Sequence, residues 1–341
     1  MDRVFPGVTW DTLQPEEAGF IPGKFSAVKG WLEGVADRRR WRTMIVKGGY
    51  LVAEWGQGLD RNTQITQASI DKSFISCLLG IAIDEGRIAG LDAPVVDYFP
   101  EMMDVGPDDG PRPGRYAFEK DRAITFRQLA SQTSGFMKPD QYPGKKFHYQ
   151  TFGINIITHA IATVYGLYDS SDPDRFPGGR KFLDDRIRNP IGAGWDSPRF
   201  NFDHPPGAKV NIFGNGFSIV ATSDDMARAG ILWLNQGRWK DQQLVPADYL
   251  KEATQTNQDV LAIEPEAQWK YGLAFWVNDH GKLWPDLPRD AFAAAGAGSM
   301  HVFVCPSLDL VVTQTPGPWE DADKTERQAE LLMRVVGAMS G

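Results

Sequence analysis

The stretch ASIDKSFISCLLGIAIDEG, residues 68–86, decides how this chain is interpreted. Its dense apolar run, from Phe74 to Ile83, predicts a buried helix. Ser69 and Lys72 stand at the start of that helix, three residues apart, and therefore share one face of it. A lysine in the first turn opposes the helix dipole, and such a local conflict is typical of an active site.

The spacing of these two residues suits nucleophilic catalysis. A serine hydroxyl needs a base before it can attack, and Lys72 can be that base only when it is neutral. Its pKa must then fall far below the usual value of about 10.4, and burial beside an apolar helix supplies such a shift. The helix N-terminus also offers N–H groups to an oxyanion, including that of Ser69 itself. The competing interpretation is that Ser69 only caps a helix.

The same S-x-x-K pattern occurs a second time, at Ser26 and Lys29. This copy lies in FSAVKGWLEGVADRR, where charged residues alternate with apolar residues at helical spacing. Serine and lysine are ordinary choices on the solvated face of an amphipathic helix. We therefore assign the catalytic role to Ser69 and a surface position to Ser26.

Composition narrows the remaining functions. The 341 residues are 42% hydrophobic and 23% charged, as in ordinary globular proteins, and the formal net charge is −8. That charge disfavours nucleic acid as a partner, and the basic run at 38–40 is interpreted as a solvated helix end. No G-x-S-x-G, H-E-x-x-H or P-loop motif is present, and no Cys/His cluster has zinc spacing. We expect no cofactor and no metal.

Compartment and partners follow from similar observations. Cys77 and Cys305 both lie among apolar residues, which predicts buried free thiols. The N-terminus has no apolar signal segment, and no run of 18 apolar residues occurs. We expect a cytoplasmic protein that acts on a small molecule, with no membrane partner. The oligomeric state stays open.

The order of predicted elements indicates an α+β fold. An N-terminal helix precedes RTMIVKGGYLVAEWG, two strands around Gly48-Gly49, and the helix that follows Ser69 comes next. Residues 93–210 are rich in Pro, Gly and Asp, with helices predicted at ITFRQLASQ and FGINIITHAIATVYG. A Ser/Asp-capped helix, the strands YGLAFWV, MHVFVC and DLVVTQT, and a final helix complete the chain. We predict a sheet domain from 1–92 and 211–341, split by a helical, loop-rich insertion at 93–210.

Several blocks together resemble one family. The segment from 68 to 101, which begins ASIDKSF, resembles the nucleophile region of the serine β-lactamase and penicillin-binding-protein superfamily. It is most similar to the branch of class C β-lactamases, family VIII-like carboxylesterases, D,D-peptidases and 6-aminohexanoate-dimer hydrolases. Four further blocks keep the family order: ITFRQLASQTSGF, PGKKFHYQTFGINIITHAI, GNGFSIVATSDDMARAGILWLNQGRW and GAGSMHVFVCPSLDLVVTQT.

The resemblance implies an antiparallel sheet flanked by the N- and C-terminal helices, with a mainly helical inserted domain. It implies that Tyr149 is the second catalytic residue, which relays a proton to the leaving group; Tyr142 and His148 are weaker candidates. It places the second oxyanion-hole N–H at Ala294, within a residue or two, beside that of Ser69. Among the eleven tryptophans, Trp195, Trp269, Trp276 and Trp284 are candidates to wall an acyl pocket.

Two departures from the family pattern shape the expected chemistry. Thr151 stands where the family often has asparagine, and a threonine presents no amide. No Lys or His stands at 291–295, where the family often has a cation that grips a substrate carboxylate. We therefore expect a carboxylesterase acting on small neutral esters through an acyl-Ser69 intermediate. The alternatives are an amide hydrolase of the 6-aminohexanoate-dimer type, a β-lactamase or D,D-peptidase, and a catalytically silent binding protein on this fold.

Overall fold

The computed structural model describes residues 4–110, 112–169, 172, 175–200 and 216–340. The predicted boundary between residues 210 and 211 lies outside them. The division of the chain into a sheet domain and an insertion therefore stays a prediction.

Helices of the described part are numbered along the chain. The α-helices are α1 Pro22–Ala36, α2 Asp71–Asp84, α3 Phe126–Ala130, α4 Phe152–Val164, α5 Gly179–Leu183, α6 Ser223–Leu234, α7 Ala247–Ala253, α8 Gln258–Ile263 and α9 Lys324–Gly337. Short 3₁₀ turns cover Ala68–Ile70, Val95–Asp97, Pro100–Met103, Glu119–Ala123, Glu266–Gln268 and Pro306–Leu308, and a π-helical turn covers Asp184–Arg188.

The strands are numbered in the same way. They are β1 Trp41–Lys47, β2 Tyr50–Gln57, β3 Ile65–Thr66, β4 Arg199–Phe200, β5 Gly216–Phe217, β6 Val220–Ala221, β7 Arg238–Trp239, β8 Gln242–Gln243, β9 Trp276–Val277, β10 Phe292–Gly296, β11 Met300–Cys305 and β12 Leu310–Gln314. Six of them form one antiparallel sheet in the order β2-β1-β12-β11-β10-β9. The short pairs β3-β6, β4-β5 and β7-β8 are separate ribbons.

The first two strands form the predicted hairpin. Gly48 and Gly49 both have positive φ, 60° and 88°, which a two-residue turn of this kind requires. A Cβ on Gly49 would also lie 1.7 Å from the carbonyl oxygen of Val4, so only glycine fits there. β1 of this hairpin also pairs with β12, near the end of the chain, with Ile45 opposite Val312.

Helices cover both faces of the sheet, as the predicted fold requires. α6 packs on β1, β11 and β12 on one face, while α1 and α9 pack together on the other. α6 begins with a capping box, in which Thr222 Oγ1 accepts from the Asp225 N–H and the Asp225 carboxylate accepts from the Thr222 N–H. Burial of both faces explains why β11 and β12 consist of consecutive buried residues without alternation.

The helix after Ser69 occupies the centre of the larger core. From Lys72 to Ala82 every residue of α2 is buried, and α2 packs against α4 and α7. The hydroxyl of Ser73 donates to the carbonyl of Ala274 (2.6 Å), which fixes α2 to the chain just before β9. The start of α2 is therefore held by the core and not by a surface loop.

One predicted strand is mostly wrong. YGLAFWV was expected to be extended, but only its last two residues, Trp276 and Val277, form β9. Ala274 has a φ of 63°, in the left-handed region, and this interrupts the strand. The alanine-rich β10 lacks the β-branched residues that usually mark a strand, and only the resemblance pointed to it.

Two further expectations concern the thiols and the membrane. Cys77 and Cys305 are buried free thiols, as predicted. Among the residues the structure describes, none of the helices has the length and apolar character needed to cross a bilayer. Within the same residues, no three His, Cys, Asp or Glu side chains are grouped as metal ligands would be.

The contact between α6 and the sheet generates a stability prediction. A Cβ on Gly230 would lie 2.4 Å from Val311 Cγ1, so Gly230→Ala should destabilise the fold by about 1–3 kcal/mol through overpacking. Gly30 lies within α1 with no atom near its missing Cβ, so Gly30→Ala should stabilise by up to about 1 kcal/mol. Urea denaturation of the two variants measures both effects, and an equal gain in both would contradict the close packing of α6.

Candidate active site

Ser69 lies in a strained turn that leads into α2. The preceding residue, Ala68, has a φ of 52°, in the left-handed region that is uncommon for residues other than glycine. Two hydrogen bonds hold this turn to one segment beside β6. The Gln67 N–H donates to the Ile219 carbonyl (2.8 Å), and the Ile219 N–H donates to Asp71 Oδ1 (3.1 Å). The strain is therefore supported from both sides of the serine.

The structure brings Lys72 and Ser69 into direct contact. Lys72 is only 3% exposed, and its Nζ donates to Ser69 Oγ at 2.9 Å. Burial lowers the pKa of Lys72 to about 8, although the neighbouring Asp71 carboxylate acts in the opposite direction. A lysine with such a pKa is partly neutral near physiological pH and is able to accept a proton from the serine.

Asp71 is a member of this site that the sequence did not reveal. Burial raises its pKa to about 8, against the effects of the Ile219 N–H, of Lys72 and of the Ser218 side chain. Asp71 and Lys72 therefore titrate in the same range and as a coupled pair. The signal available in the sequence was its place inside S-I-D-K, which is too weak alone.

Tyr149 reaches the pair from a separate loop. Its ring centroid lies 5.0 Å from Lys72 Nζ. Desolvation raises the pKa of Tyr149, and a hydrogen bond with the Ser69 side chain opposes that rise. The ring also stacks on Trp276, with centroids 6.0 Å apart and planes 23° apart. The three residues selected from sequence thus meet in one place.

The loop that carries Tyr149 is held by backbone hydrogen bonds on each side of it. The His148 N–H donates to the Gln132 carbonyl (2.8 Å), and the Gln150 N–H donates to Gln132 Oε1 (2.7 Å). Thr151 lies at the start of α4, where its carbonyl accepts from the Asn155 N–H. Tyr149 is therefore positioned by Gln132, a residue that sequence reasoning missed.

The weaker candidates lie elsewhere. Tyr142 is 62% exposed, and His148, the neighbour of Tyr149, is not among the residues that line the cavity at Ser69. Ser26 is on the exposed face of α1, where its hydroxyl donates to the Gly23 carbonyl, and Lys29 pairs with Glu33. The structure thus separates the two S-x-x-K copies into one buried and one surface pair.

Strand β10 packs directly against the turn that carries Ser69, and its residue nearest the turn is Gly296. A Cβ on Gly296 would lie 2.3 Å from the Gln67 carbonyl oxygen and 3.1 Å from the Ser69 nitrogen. Only glycine at this position lets the strand lie so near the turn. Ser69 and β10 therefore lie side by side, as predicted, and they meet at Gly296.

Strand geometry bears on which N–H of β10 faces the serine. The Asn278 N–H donates to the Ala291 carbonyl, so the backbone groups of Ala291 point towards β9. Since backbone groups alternate along a strand, those of Ala295 face the same edge and those of Ala294 face β11. Ala294 is fully buried, whereas Ala295, Gly296 and Ala297 line the cavity at Ser69. The geometry favours Ala297, which follows Gly296 on the open side, over Ala294.

A cavity of about 550 Å³ opens above Ser69. Of the four candidate tryptophans, Trp276 and Trp284 line it. Trp195 instead packs against Phe74 in the core. The remaining lining side chains come from the loop before α4, from the segments around β9, from β11 and from α9: Phe147, Tyr149, Gln268, Lys270, Leu283, His301, Lys324, Thr325 and Gln328.

Comparison with known proteins places the chain in a family. The Beta-lactamase family model matches residues 28–332. The chain belongs to the beta-lactamase family. An uncharacterized protein of Alkalihalophilus pseudofirmus is 20% identical over 285 residues, which cover 78% of this chain and 77% of that protein.

Solved structures show that the fold is shared. A structure described as a 6-aminohexanoate-dimer hydrolase from Bacillus anthracis is 18% identical, covers 99% of this chain and 87% of its own, and has a TM-score of 0.68. EstCE1, described as a hydrolase with promiscuous acyltransferase activity, is 13% identical, covers 92% of this chain and 97% of its own, and has a TM-score of 0.64. The predicted β-lactamase/transpeptidase-like fold is therefore confirmed.

The contact of Gly296 with the serine turn generates a prediction about reactivity. Gly296→Ala should push the Gln67–Ser69 backbone away from β10, because neither clashing backbone atom is able to rotate aside. Displacement of a nucleophile by about 1 Å costs on the order of 100-fold in rate. The rate of Ser69 labelling by a fluorophosphonate should fall by about that factor, with an unchanged circular dichroism spectrum.

A matched variant controls for the added methyl group. Gly34 lies on α1 with no atom within 4 Å of its missing Cβ, so Gly34→Ala should label at the wild-type rate. Wild-type labelling of Gly296→Ala would show that β10 does not constrain the nucleophile.

Proposed function

We propose that this protein is a carboxylic ester hydrolase that forms a covalent acyl intermediate on Ser69. The observation that carries the proposal is the 2.9 Å contact between Lys72 Nζ and Ser69 Oγ in a buried site. A buried lysine of lowered pKa beside a serine is the arrangement that nucleophilic catalysis without histidine requires. Membership of the beta-lactamase family, whose structural neighbours include hydrolases, supports the same chemistry.

The first half-reaction follows from the positions of these groups. The neutral amine of Lys72 accepts the proton of the Ser69 hydroxyl as the oxygen attacks the ester carbonyl. Negative charge develops on the carbonyl oxygen, which accepts hydrogen bonds from the N–H groups of Ser69 and of Ala297, the residue that follows β10. The proton then passes to the leaving alkoxide through Tyr149, which contacts both Lys72 and Ser69.

The second half-reaction reverses the roles with water. A water molecule attacks the acyl-Ser69 carbonyl, and the Lys72–Tyr149 pair takes its proton. The Ser69 oxygen then leaves and recovers a proton, which restores the starting state. Each step uses side chains that contact Ser69 directly, Lys72 and Tyr149.

Amide hydrolysis of the aminohexanoate-dimer type is the second candidate. The placement of Tyr149 beside Lys72 favours it, since a leaving amine must be protonated. The neighbour from Bacillus anthracis carries that description. A β-lactamase or D,D-peptidase role is less favoured, because Thr151 stands where the family often has an asparagine, and a threonine presents no amide to the substrate. A silent binding protein would have no use for a buried lysine whose pKa is lowered beside a serine hydroxyl.

Removal of the nucleophile tests the proposal directly. Ser69→Ala should lower kcat/KM for 4-nitrophenyl acetate by at least about a thousandfold, because no other group forms the acyl intermediate. It should also abolish stoichiometric labelling by a fluorophosphonate. Ser26→Ala, in the surface copy of the motif, should retain both properties. Turnover by Ser69→Ala close to that of wild type would falsify the assignment.

The pH dependence tests the base. Lys72 must lose a proton before it can act, and burial lowers its pKa to about 8, so kcat/KM should rise with pH through about 8. Asp71→Asn should move this rise to lower pH, because the carboxylate raises the pKa of Lys72. Lys72→Arg should be almost inactive, since a guanidinium keeps its proton. If replacing His148 removed the pH-dependent rise, a histidine would be the base instead.

A further inference from the structure

The charge around the Ser69 cavity is unusual for this protein. The molecule has a formal net charge of −8, which disfavours the approach of an anion. Lys270 and Lys324 nevertheless line the cavity, and none of its described lining residues is acidic. The cavity is therefore locally basic within an acidic protein.

The two lysines differ in how their charge is compensated. Lys324 Nζ lies 3.5 Å from Asp321 Oδ1, and that carboxylate also accepts from the N–H groups of Gly298 and Ser299. Lys270 is half-buried and has no ion-pair partner in the described part of the chain. His301 adds no charge at neutral pH, because burial lowers its pKa to about 3. Among the described residues that line the cavity, Lys270 is thus the cation without an ion-pair partner.

The position of Lys270 relates it to one side of the reaction. It immediately precedes Tyr271, which forms a β-bridge with Trp276. Trp276 in turn stacks on Tyr149, the residue proposed to protonate the leaving group. Lys270 therefore lines the same side of the cavity as Trp276 and Tyr149.

We infer that Lys270 is a specificity-determining residue that binds a carboxylate on the leaving-group side of the substrate. The preferred substrates are then esters whose alcohol or phenol part carries a carboxylate. This inference rests on the proposed function of Ser69. It replaces the expectation of neutral substrates, which considered only the missing cation at residues 291–295 of β10. A cation from the segment before β9 supplies the charge that β10 lacks.

A matched pair of substrates tests the inference. 4-Acetoxybenzoate and 4-acetoxybenzamide have similar shapes, and only the first carries a carboxylate. After each kcat/KM is normalised to the rate of hydroxide hydrolysis, the wild-type enzyme should prefer the carboxylate. Lys270→Met should reduce that preference by about tenfold, the loss expected for one partly solvated charge-assisted contact, and should leave the benzamide unchanged.

Two control variants make the result specific. Lys282 lies on the same stretch of chain but pairs with Glu266 outside the cavity lining, so Lys282→Met should keep the wild-type preference. Lys270→Arg retains the positive charge and should therefore keep most of the preference for the carboxylate substrate. An equal loss for both substrates in Lys270→Met would indicate a structural role and overturn the inference, as would an unchanged preference.

Failure of the inference is distinguishable from failure of the proposed function. If neither substrate showed turnover that depended on Ser69, the ester hydrolase proposal itself would be wrong. If Ser69 turned over both substrates and Lys270→Met did not change the preference between them, only the inference about Lys270 would be wrong. A Lys270-dependent gain confined to esters with the carboxylate on the acyl side would overturn the placement on the leaving-group side.

Discussion

The burial of one ammonium group beside one hydroxyl is the constraint on which this structure depends. Lys72 costs free energy in the core, and among the described residues the Ser69 oxygen, the partly neutralised Asp71 and the Tyr149 ring compensate part of that cost. That cost is tolerated because α2 is buried along almost its whole length and contributes many apolar contacts. The large core thus stabilises a small arrangement that would be unfavourable on its own.

The serine turn shows how such an arrangement is kept in place. Its strained residue, Ala68, is held between the hydrogen bonds to Ile219 and the backbone of β10 at Gly296. These contacts come from sequence positions about 150 and 230 residues away, so no local peptide would adopt this geometry. The sheet and the helices therefore hold this one turn in the position that the site requires.

The sequence predicted the fold class, the hairpin, the main helices and the Ser69–Lys72 contact, because each depends on local periodicity, turn chemistry or short spacing. It did not predict the interruption at Ala274, where tertiary contacts override an apolar run. It also missed the roles of Asp71 and Lys270, since neither carries a recognisable pattern. The burial of Asp71 against Ile219 and the place of Lys270 in the cavity both depend on segments far apart in the chain, and only the folded structure brings those segments together.

The two halves of the site are supported by elements of different kinds. Lys72 is part of the buried helix α2, and Ser69 lies in the turn that leads directly into it. Tyr149 instead lies on an irregular loop held by hydrogen bonds to Gln132. Changes in a surface loop are tolerated far more readily than changes in a packed core. Evolution can therefore alter the donor that serves the departing group, and with it the bond that is cleaved, without rebuilding the nucleophile. This separation gives one scaffold access to several acyl-transfer reactions.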